Sequence, residues 1–268
     1  MSEQTQINTR VWASGEHVGV YANRTLGPAE VMILVRYREA FAGRTIDVGC
    51  GAGRVLGYMV ALGREVHGID ISPAMIDYCA RAYPGAVVTV GDASRLETAV
   101  PGPFDAILAA NCLIDVFDSA ERREVLARWR ALLAPQGLLI FSSHNLSALE
   151  RPAAAADPAP AQHAQELISK VLHKPLADIF QALARLPRRL RNRRRLATLQ
   201  ERDADHAIVN DDVFDYSLLH YYIDHDAQAQ RLAEAGYELL ECLDPEGHVI
   251  APGETNYGDW LHYIARPA

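Results

Sequence analysis

The sequence predicts a doubly wound α/β fold, in which a parallel sheet carries helices on both faces. From residue 44 onward, short apolar segments alternate with amphipathic segments, and this alternation is typical of strand–helix–strand units. A glycine-rich turn follows the first apolar segment, and Ser72-Pro73 combines a capping residue with proline at the first position of a helix. Because ligands of such sheets bind at the carboxyl ends of the strands, we expect the functional residues there.

The predicted elements follow in order from the N-terminus. Residues 1–16 are expected to form a loose leader, and a helix is expected to begin near Thr25, with Gly27-Pro28 in its first turn. The first five strands are predicted at 44–48, 65–70, 86–90, 104–110 and 137–143. The helices between them are predicted over 54–63, from Ser72 onward and over 119–134.

The strand–helix pattern stops after the fifth strand. Residues 152–161 are almost entirely alanine and proline, which predicts a linker or the start of an insertion. A helical region over 162–200 follows, and it ends in a cluster of arginines: Arg185, Arg188, Arg189, Arg191, Arg193, Arg194 and Arg195. The fold then resumes with a strand or lid segment at 216–223, a helix at 225–236, and an antiparallel pair of strands at Tyr237–Leu243 and Trp260–Ala265.

Composition and charge exclude several classes of protein. Of the 268 residues, 49% are hydrophobic and 22% charged, and the net charge of −8 argues against a general nucleic-acid binder. The first ten residues are polar and no run of about 18 apolar residues occurs, so we expect no secretory signal, no membrane span and a cytoplasmic location. The scattered cysteines are expected to be reduced and mostly buried: Cys50, Cys79, Cys112 and Cys242.

The turn after the first strand reads Asp47-Val48-Gly49-Cys50-Gly51-Ala52-Gly53-Arg54. Glycine lacks a Cβ and adopts positive φ readily, so a ligand can lie directly against the backbone of this turn and the start of the next helix. Arg54 stands where a dinucleotide-binding fingerprint needs glycine, and no Gly-Lys-Ser or Gly-Lys-Thr follows as in a phosphate-binding loop. The turn is therefore predicted to bind a cofactor of another kind.

Together with this turn, three further motifs resemble those of the class I S-adenosylmethionine-dependent methyltransferases. Asp70 ends the second strand, Gly91-Asp92-Ala93 follows the third, and a Leu-x-Pro-x-Gly turn at residues 133–137 precedes the fifth. The resemblance covers residues 40–145. It implies S-adenosylmethionine as the cofactor and a Rossmann-like methyltransferase sheet of seven strands, with the helical insertion after the fifth strand.

The resemblance also implies roles for individual residues. Asp70 would hold the ribose hydroxyls, Asp92 the adenine amino group, and Asp47 the glycine turn and the ammonium of the methionine moiety. Arg24, beside Tyr21, could pair with the methionine carboxylate, and the alternative is a surface arginine next to a packing tyrosine. The implied cofactor-binding set is Tyr21, Arg24, Asp47, Gly49, Cys50, Gly51, Gly53, Asp70, Ile71, Met75, Asp92, Ala93 and Asn111.

Methyl transfer from a sulfonium is an in-line displacement, so the protein mainly aligns the reactants and excludes water. A base is needed only when the acceptor must lose a proton. His144, directly after the fifth strand, is the first candidate for this base, and Asp115 and His220 are the other candidate catalytic residues. The alternative for His144 is a structural histidine that bonds a neighbouring loop.

No metal is expected at this site. Metal-dependent methyltransferases with a similar core carry acids after the fourth and fifth strands, where this chain has Asn111 and His144-Asn145. Asp224 and Asp226 could chelate a cation, but they stand at a predicted helix start, where acids serve as caps.

Four regions are expected: an N-terminal helical cap at 1–40, a cofactor-binding core at 41–150, an Arg-rich insertion at 151–215, and a C-terminal completion of the sheet at 216–268. The insertion would form a substrate site or lid. Its arginines suit a solvated helix face, the capture of an anionic substrate such as a phosphorylated sugar, or contact with RNA or an anionic membrane. RNA is the weaker of the last two partners, because no aromatic residues interleave with the arginines for base stacking.

The leading hypothesis is a methyltransferase that acts on an O or N nucleophile of a small molecule, such as a sugar or secondary metabolite with anionic character, phosphorylated compounds included. One alternative is an RNA or protein methyltransferase that binds an anionic partner through the Arg-rich insertion. It lacks the Asn/Asp-Pro-Pro-Tyr/Phe motif, because Cys112-Leu113 follows Asn111. Another is a non-catalytic module that only binds the cofactor. The oligomeric state is left open.

Overall fold

The structure is a computed structural model that describes residues 1–152 and 176–268, so most of the predicted linker and the first part of the helical region predicted from 162 lie outside the described residues. The strands are β1 (Thr45–Val48), β2 (Val66–Asp70), β3 (Val87–Val90), β4 (Phe104–Ala109), β5 (Leu133–Asn145), β6 (Glu201–Arg202), β7 (His206–Val209), β8 (His220–Ile223), β9 (Tyr237–Leu243) and β10 (Trp260–Pro267). The α-helices are α1 (Glu3–Ala13), α2 (Val18–Ala22), α3 (Pro28–Arg36), α4 (Arg54–Ala61), α5 (Pro73–Ala82), α6 (Leu96–Ala99), α7 (Ser119–Ala131), α8 (Leu176–Leu196) and α9 (His225–Glu234). Short 3-10 helices occur at Ala40–Ala42, Ala93–Arg95, Leu113–Val116, Leu146–Glu150 and Ala197–Leu199.

The first five strands are parallel and lie in the order β3-β2-β1-β4-β5. β10 runs antiparallel to both β5 and β9, with Trp260 opposite His144 and Ala265 opposite Leu139. These pairings confirm the predicted α/β sheet and its antiparallel C-terminal pair. Ser72 caps α5 as predicted, because its hydroxyl accepts a hydrogen bond from the Met75 amide.

Successive residues of the central strands point alternately into two hydrophobic cores, one on each face of the sheet. Ile107 of β4 belongs to the core that contains the fully buried Trp129 of α7, whereas Leu108 belongs to the core that contains Val55 of α4. A parallel sheet that is buried on both faces is the doubly wound arrangement that the sequence predicts.

Within residues 1–152 and 176–268 the sheet has ten strands, not the predicted seven. β8 pairs in parallel with the end of β5, where Tyr222 lies opposite His144, and β7 and β6 continue antiparallel. β4 pairs with β5 only as far as Phe141, so β8 extends the same edge of β5 beyond the end of β4. The sequence did not predict β6 and β7 because strands of two and four residues are too short to show an alternating pattern.

The N-terminal residues form helix α1 rather than the predicted loose leader. Asn8 is fully buried, donates hydrogen bonds to the carbonyls of Val116 at 3.0 Å and Leu219 at 2.7 Å, and accepts one from the Leu219 amide at 3.0 Å. The buried residues of α1 are polar, so this helix lacks the apolar periodicity by which helices are predicted. Two other elements begin later than predicted: the helix expected near Thr25 begins at Pro28, and the strand expected from residue 216 begins at His220.

Candidate functional site

A cavity of about 990 Å³ lies at the carboxyl ends of the parallel strands. Its lining includes Asp70 at the end of β2 and His144 near the end of β5, on opposite sides of the strands β1 and β4. Small-molecule pockets are usually about 300–1,000 Å³, so this cavity is large for a single ligand. The position and size suit a cofactor and an acceptor side by side, and we refer below to a β1–β3 end and a β5–β8 end.

The three glycines of the turn after β1 are all left-handed, with φ of 68°, 55° and 87° at Gly49, Gly51 and Gly53. A Cβ at Gly49 would lie 2.7 Å from the Leu113 side chain, and one at Gly53 would lie 2.6 Å from Tyr83. A Cβ at Gly51 would meet nothing closer than 4.0 Å. Gly51 therefore leaves room for a ligand, whereas Gly49 and Gly53 make room for neighbouring side chains.

Asp47 lies at the base of this turn and is 2% exposed. Its Oδ2 atom is buried without a hydrogen-bond partner among the described residues, and Asp47 lines the cavity. Burial raises the pKa of Asp47 to about 7, although the nearby Arg54 guanidinium opposes this shift. A bound ammonium group would supply the missing partner and would stabilise the charged carboxylate, so the residues present fit an amino-acid moiety here.

Asp70 is held by two backbone amides, from Gly51 to Oδ2 at 2.9 Å and from Ser72 to Oδ1 at 2.8 Å. Burial raises its pKa, and these hydrogen bonds oppose the shift. Asp92 accepts a hydrogen bond from the Ser94 amide at 2.8 Å. Both carboxylates line the cavity and keep acceptor capacity, because a carboxylate offers about four lone-pair positions.

Three predicted residues that are distant in sequence meet at the mouth of the cavity. The Arg24 Nη1 atom donates to Asn111 Oδ1 at 3.1 Å, and the Arg24 guanidinium lies 4.6 Å from the centre of the Tyr21 ring. Asn111 and Cys112 follow β4 with left-handed backbones, each with a φ of 55°. Left-handed non-glycine residues are uncommon and cluster at functional sites.

The structure joins two of the predicted catalytic residues directly. His144 Nδ1 lies 2.7 Å from Asp115 Oδ2, and the same oxygen accepts the His144 backbone N–H at 2.6 Å. Burial lowers the pKa of His144, but the neighbouring Cys112 sulfur and the Asp115 carboxylate outweigh burial and raise this pKa above its usual value. The partner that bonds the ring is Asp115, which is fully buried.

The third predicted residue, His220 of β8, belongs to a second pair of the same kind. Its Nδ1 lies 2.5 Å from Asp211 Oδ2, which also accepts a hydrogen bond from the Tyr222 hydroxyl at 3.2 Å. The rings of His220 and His144 are stacked with their centres 4.9 Å apart. Two imidazoles, each held at Nδ1 by a carboxylate, thus stand side by side at the β5–β8 end.

A buried network behind His144 was not predicted from the sequence. Asp115 is fully buried and forms an ion pair with Arg122, which also donates to Gln228 Oε1 at 2.7 Å and to the Ser143 hydroxyl at 3.2 Å. Burial raises the pKa of Asp115, but Arg122 and His144 bring it below its usual value. Nothing in the sequence marks these residues as partners, because they come from α7, β5 and α9.

An aromatic cover over the cavity was also missed. Trp12 of α1 lies 5.6 Å from Tyr21 and 5.4 Å from Phe214 between ring centres, and His17 stacks on Phe214 at 3.4 Å. Trp12 lines the cavity, and its buried Nε1 has no hydrogen-bond partner among the described residues. Because residues 1–16 were expected to form a loose leader, the sequence did not predict that Trp12 lines the cavity.

Of the residues predicted to bind the cofactor, all except Gly53 line the cavity, and Gly53 faces Tyr83 and Cys79 instead. Of the predicted catalytic residues, His144 and His220 line it, whereas Asp115 lies behind His144. Asp224 caps α9 by accepting the amides of Asp226 and Ala227, as expected.

Among the described residues, two overlapping groups of side chains place potential metal-ligand atoms within 4.8 Å of one another: Cys112, Asp115 and His144, and His144, Asp211 and His220. The hydrogen bonds given above already use the carboxylates of both groups. Metal binding, if it occurs against expectation, should be looked for at these two groups.

The arginine cluster lies outside the cavity. None of Arg185 to Arg195 contributes to its lining, in which the arginines are Arg24, Arg54 and Arg151. Arg188 lies 3.7 Å from Glu16 and 3.9 Å from Asp215, so the cluster contacts the loops beside the aromatic cover. Within the described residues, no helix has both the length and the apolar character needed to cross a bilayer.

Comparison with known proteins agrees with this description. Residues 46–137 match the model of a methyltransferase domain. A trans-aconitate 2-methyltransferase from Methylobacterium nodulans is 26% identical in an alignment that covers 90% of this chain and 94% of that protein. An uncharacterised methyltransferase from Geobacillus kaustophilus is 30% identical over 122 residues; the chain matches 56% of its length, about half, as with several other curated relatives.

A solved structure has the same fold. The 1,6-didemethyltoxoflavin-N1-methyltransferase of Burkholderia thailandensis, with bound 1,6-didemethyltoxoflavin and S-adenosylhomocysteine, has a TM-score of 0.59 at 15% identity, over 100% of this chain and 91% of that one. The fold and the cavity define a Rossmann-like α/β protein with a cofactor site at the carboxyl edge of its sheet. These matches confirm the resemblance of the chain's motifs to the class I S-adenosylmethionine-dependent methyltransferases.

Proposed function

We propose that this protein transfers a methyl group from S-adenosylmethionine to an oxygen or nitrogen nucleophile of a small molecule. The observation that carries the proposal is a single cavity with the glycine turn and its carboxylates at one end and the His144–Asp115 pair at the other. Such an arrangement brings a methyl donor and an acceptor together away from bulk water.

The β1–β3 end is assigned to the cofactor. Asp70 would accept hydrogen bonds from the ribose hydroxyls, and Asp92 from the adenine amino group. Asp47 would hold the ammonium of the methionine moiety, since its Oδ2 is buried without a partner in the described part of the chain, and Arg24 would hold the carboxylate. When bound, S-adenosylmethionine supplies an electrophilic methyl group on a positively charged sulfur.

The β5–β8 end is assigned to the acceptor. Because Nδ1 of His144 is engaged by Asp115, Nε2 is the nitrogen left to take a proton from the acceptor. The elevated pKa of His144 means that the imidazole is largely protonated near neutral pH. It acts as a base after losing this proton, so methyl transfer to a protonated nucleophile should become faster as the pH rises through the pKa of His144.

The walls of this end favour a small acceptor with a flat ring and an anionic or strongly accepting group. The aromatic rings of Trp12 and Tyr21 line the cavity, and Phe214 packs edge-on against both, so the lining suits a planar molecule. The Trp12 Nε1–H is a buried donor without a partner among the described residues, and the protonated His144 adds positive charge. Relatives named for aconitate and toxoflavin chemistry make carboxylates and N-heterocycles the first acceptors to test.

The anionic acceptor considered in the sequence analysis would meet these groups and Arg151 rather than the arginine cluster, which does not line the cavity. A cavity that α1 lines with Thr9 and Trp12 also favours a small molecule over RNA or a folded protein. The non-catalytic alternative would keep the cofactor end and would not need the paired His144 and Asp115.

The test is formation of S-adenosylhomocysteine from S-adenosylmethionine with a panel of carboxylates, phenols and N-heterocycles. With an accepted substrate that must lose a proton, His144→Ala should lower kcat by about 100- to 10,000-fold, the usual contribution of a general base. His248→Ala, which alters an exposed histidine distant in sequence, is the matched control and should leave kcat unchanged. Failure of every acceptor class, or normal turnover by His144→Ala, would contradict the proposal.

A further inference from the structure

The exposed side of α8 combines leucines with arginines in a way that the methyltransferase site does not use. Leu183, Leu186 and Leu190 are 59%, 48% and 45% exposed. Their spacing of three and four residues places them on one face of the helix. Most apolar helix faces are buried against the protein, so three exposed leucines in line need a partner.

The opposite side of α8 is the one that attaches it to the protein. Asn192 and Leu196 are buried, and Asn192 Nδ2 donates to the Asp215 carbonyl at 2.9 Å. At 100° per residue these two positions lie across the helix from the leucine face. The helix therefore docks through one side and presents the leucines to solvent on the other.

Arginines border the leucine face on both sides. Helical geometry places Arg191 and Arg194 along one edge of it and Arg189 and Arg193 along the other. Residues 183–200 contain no acidic side chain, although the whole protein has a net charge of −8. An apolar stripe between two rows of arginines is complementary to a surface with negative charge outside and hydrocarbon beneath.

We propose that the face of α8 formed by Leu183, Leu186, Leu190 and the flanking arginines binds anionic lipid membranes in the plane of the interface. The leucines would enter the acyl boundary while the guanidinium groups contact lipid phosphates. RNA would satisfy the arginines but would leave the leucines in water. The ring of Tyr216, which lies about 5 Å from the guanidinium carbons of Arg189 and Arg193, already stacks on them rather than offering a platform for bases.

The attachment of α8 connects this surface to the cavity. Asp215, which accepts the Asn192 hydrogen bond, follows Phe214, a member of the aromatic cover. Phe214, Asp215 and Tyr216 are three consecutive left-handed residues, so α8 holds an unusual turn at the mouth of the cavity. Docking would bring this mouth near the bilayer, a consequence that rests on the proposed function, whereas membrane binding itself does not.

Co-sedimentation of the full chain with lipid vesicles, without cofactor or acceptor, tests the proposal independently of methyl transfer. The chain should bind vesicles of phosphatidylcholine with about one-third phosphatidylglycerol, should not bind pure phosphatidylcholine, and should be released by about 0.5 M salt. R191Q/R193Q/R194Q, which changes three of the flanking arginines, should weaken the partition coefficient about a hundredfold, and L183S/L186S/L190S at least tenfold.

Two variants match these changes elsewhere on the surface. R38Q/R81Q/R123Q removes the same charge from exposed arginines, and V35S/L62S/V87S removes exposed apolar side chains; both should bind as the unmodified chain does. Circular dichroism should show that all variants fold. The proposal is overturned if no vesicle binding occurs, if the leucine variant binds normally, or if the arginine variant loses binding to single-stranded RNA while vesicles are never bound.

Discussion

The two ends of the cavity are built from different ranges of the chain. At the β1–β3 end, the glycine turn, Asp70 and Asp92 lie within about fifty residues, and neighbouring strands bring them together. At the β5–β8 end, the contacts join residues much farther apart, such as Arg122 with Gln228 and Asn8 with Leu219. The cofactor end is thus a local structure that a short motif can specify, whereas the acceptor end depends on the whole fold.

The largest loss of stability is expected from the buried network behind His144, at the β5–β8 end. Arg122→Met should leave the Asp115 carboxylate and the Gln228 amide without their buried donor. Breaking a buried ion pair usually costs about 3–5 kcal/mol of unfolding free energy. Urea unfolding measures the change, and Arg123→Met, on the exposed side of α7, should stay within about 0.5 kcal/mol. Equal stability of the two variants would show that the network does not hold the acceptor end together.

A smaller loss is expected from the helix that covers the acceptor end. Asn8→Ala removes three hydrogen bonds to the backbone of Val116 and Leu219 and should cost about 1–3 kcal/mol. It should also raise KM for the acceptor while leaving cofactor affinity unchanged, because α1 contacts the β5–β8 end. Gln6→Ala, on the exposed side of α1, is the control. If Asn8→Ala weakens cofactor binding as well as raising KM for the acceptor, α1 does not act on the acceptor end alone.

The smallest expected effect is a shift in the pKa of His144. Asp115 helps to hold the pKa of His144 above its usual value, so Asp115→Asn should move this pKa down toward 6.5 in an NMR titration of the imidazole. Because the folded-state pKa is raised, the stabilisation by His144 is fully present below pH 6.5 and is lost as the pH rises through the elevated value. Turnover should show the opposite dependence and increase over the same range. An unchanged pKa of His144 in Asp115→Asn would show that Asp115 is not the group that raises it.

The same division explains what could be predicted from the sequence. The five parallel strands and the glycine turn around Gly51 could be predicted from the alternation of strands and helices and from the order of the motifs. Both depend on local pattern. His144 and His220 could be named singly, from their places in the chain, but their neighbours could not. Arg122 reaches Asp115 only after α7 has packed, and Trp12 reaches the cavity only because α1 is anchored by the polar Asn8. Neither contact follows from hydrophobic periodicity, which is the main signal available before a fold is known.

Calorimetric titration with S-adenosylmethionine tests most directly the claim that one cavity has two separately built ends. Asp70→Ala should weaken cofactor binding by about a hundredfold or more, since it removes charge-assisted hydrogen bonds to the ribose. Asp77→Ala, an exposed acid on α5, and His144→Ala, at the other end, should bind within about threefold of the unmodified protein. Near-normal affinity in Asp70→Ala, or a loss of affinity in His144→Ala as large as that in Asp70→Ala, would contradict the account.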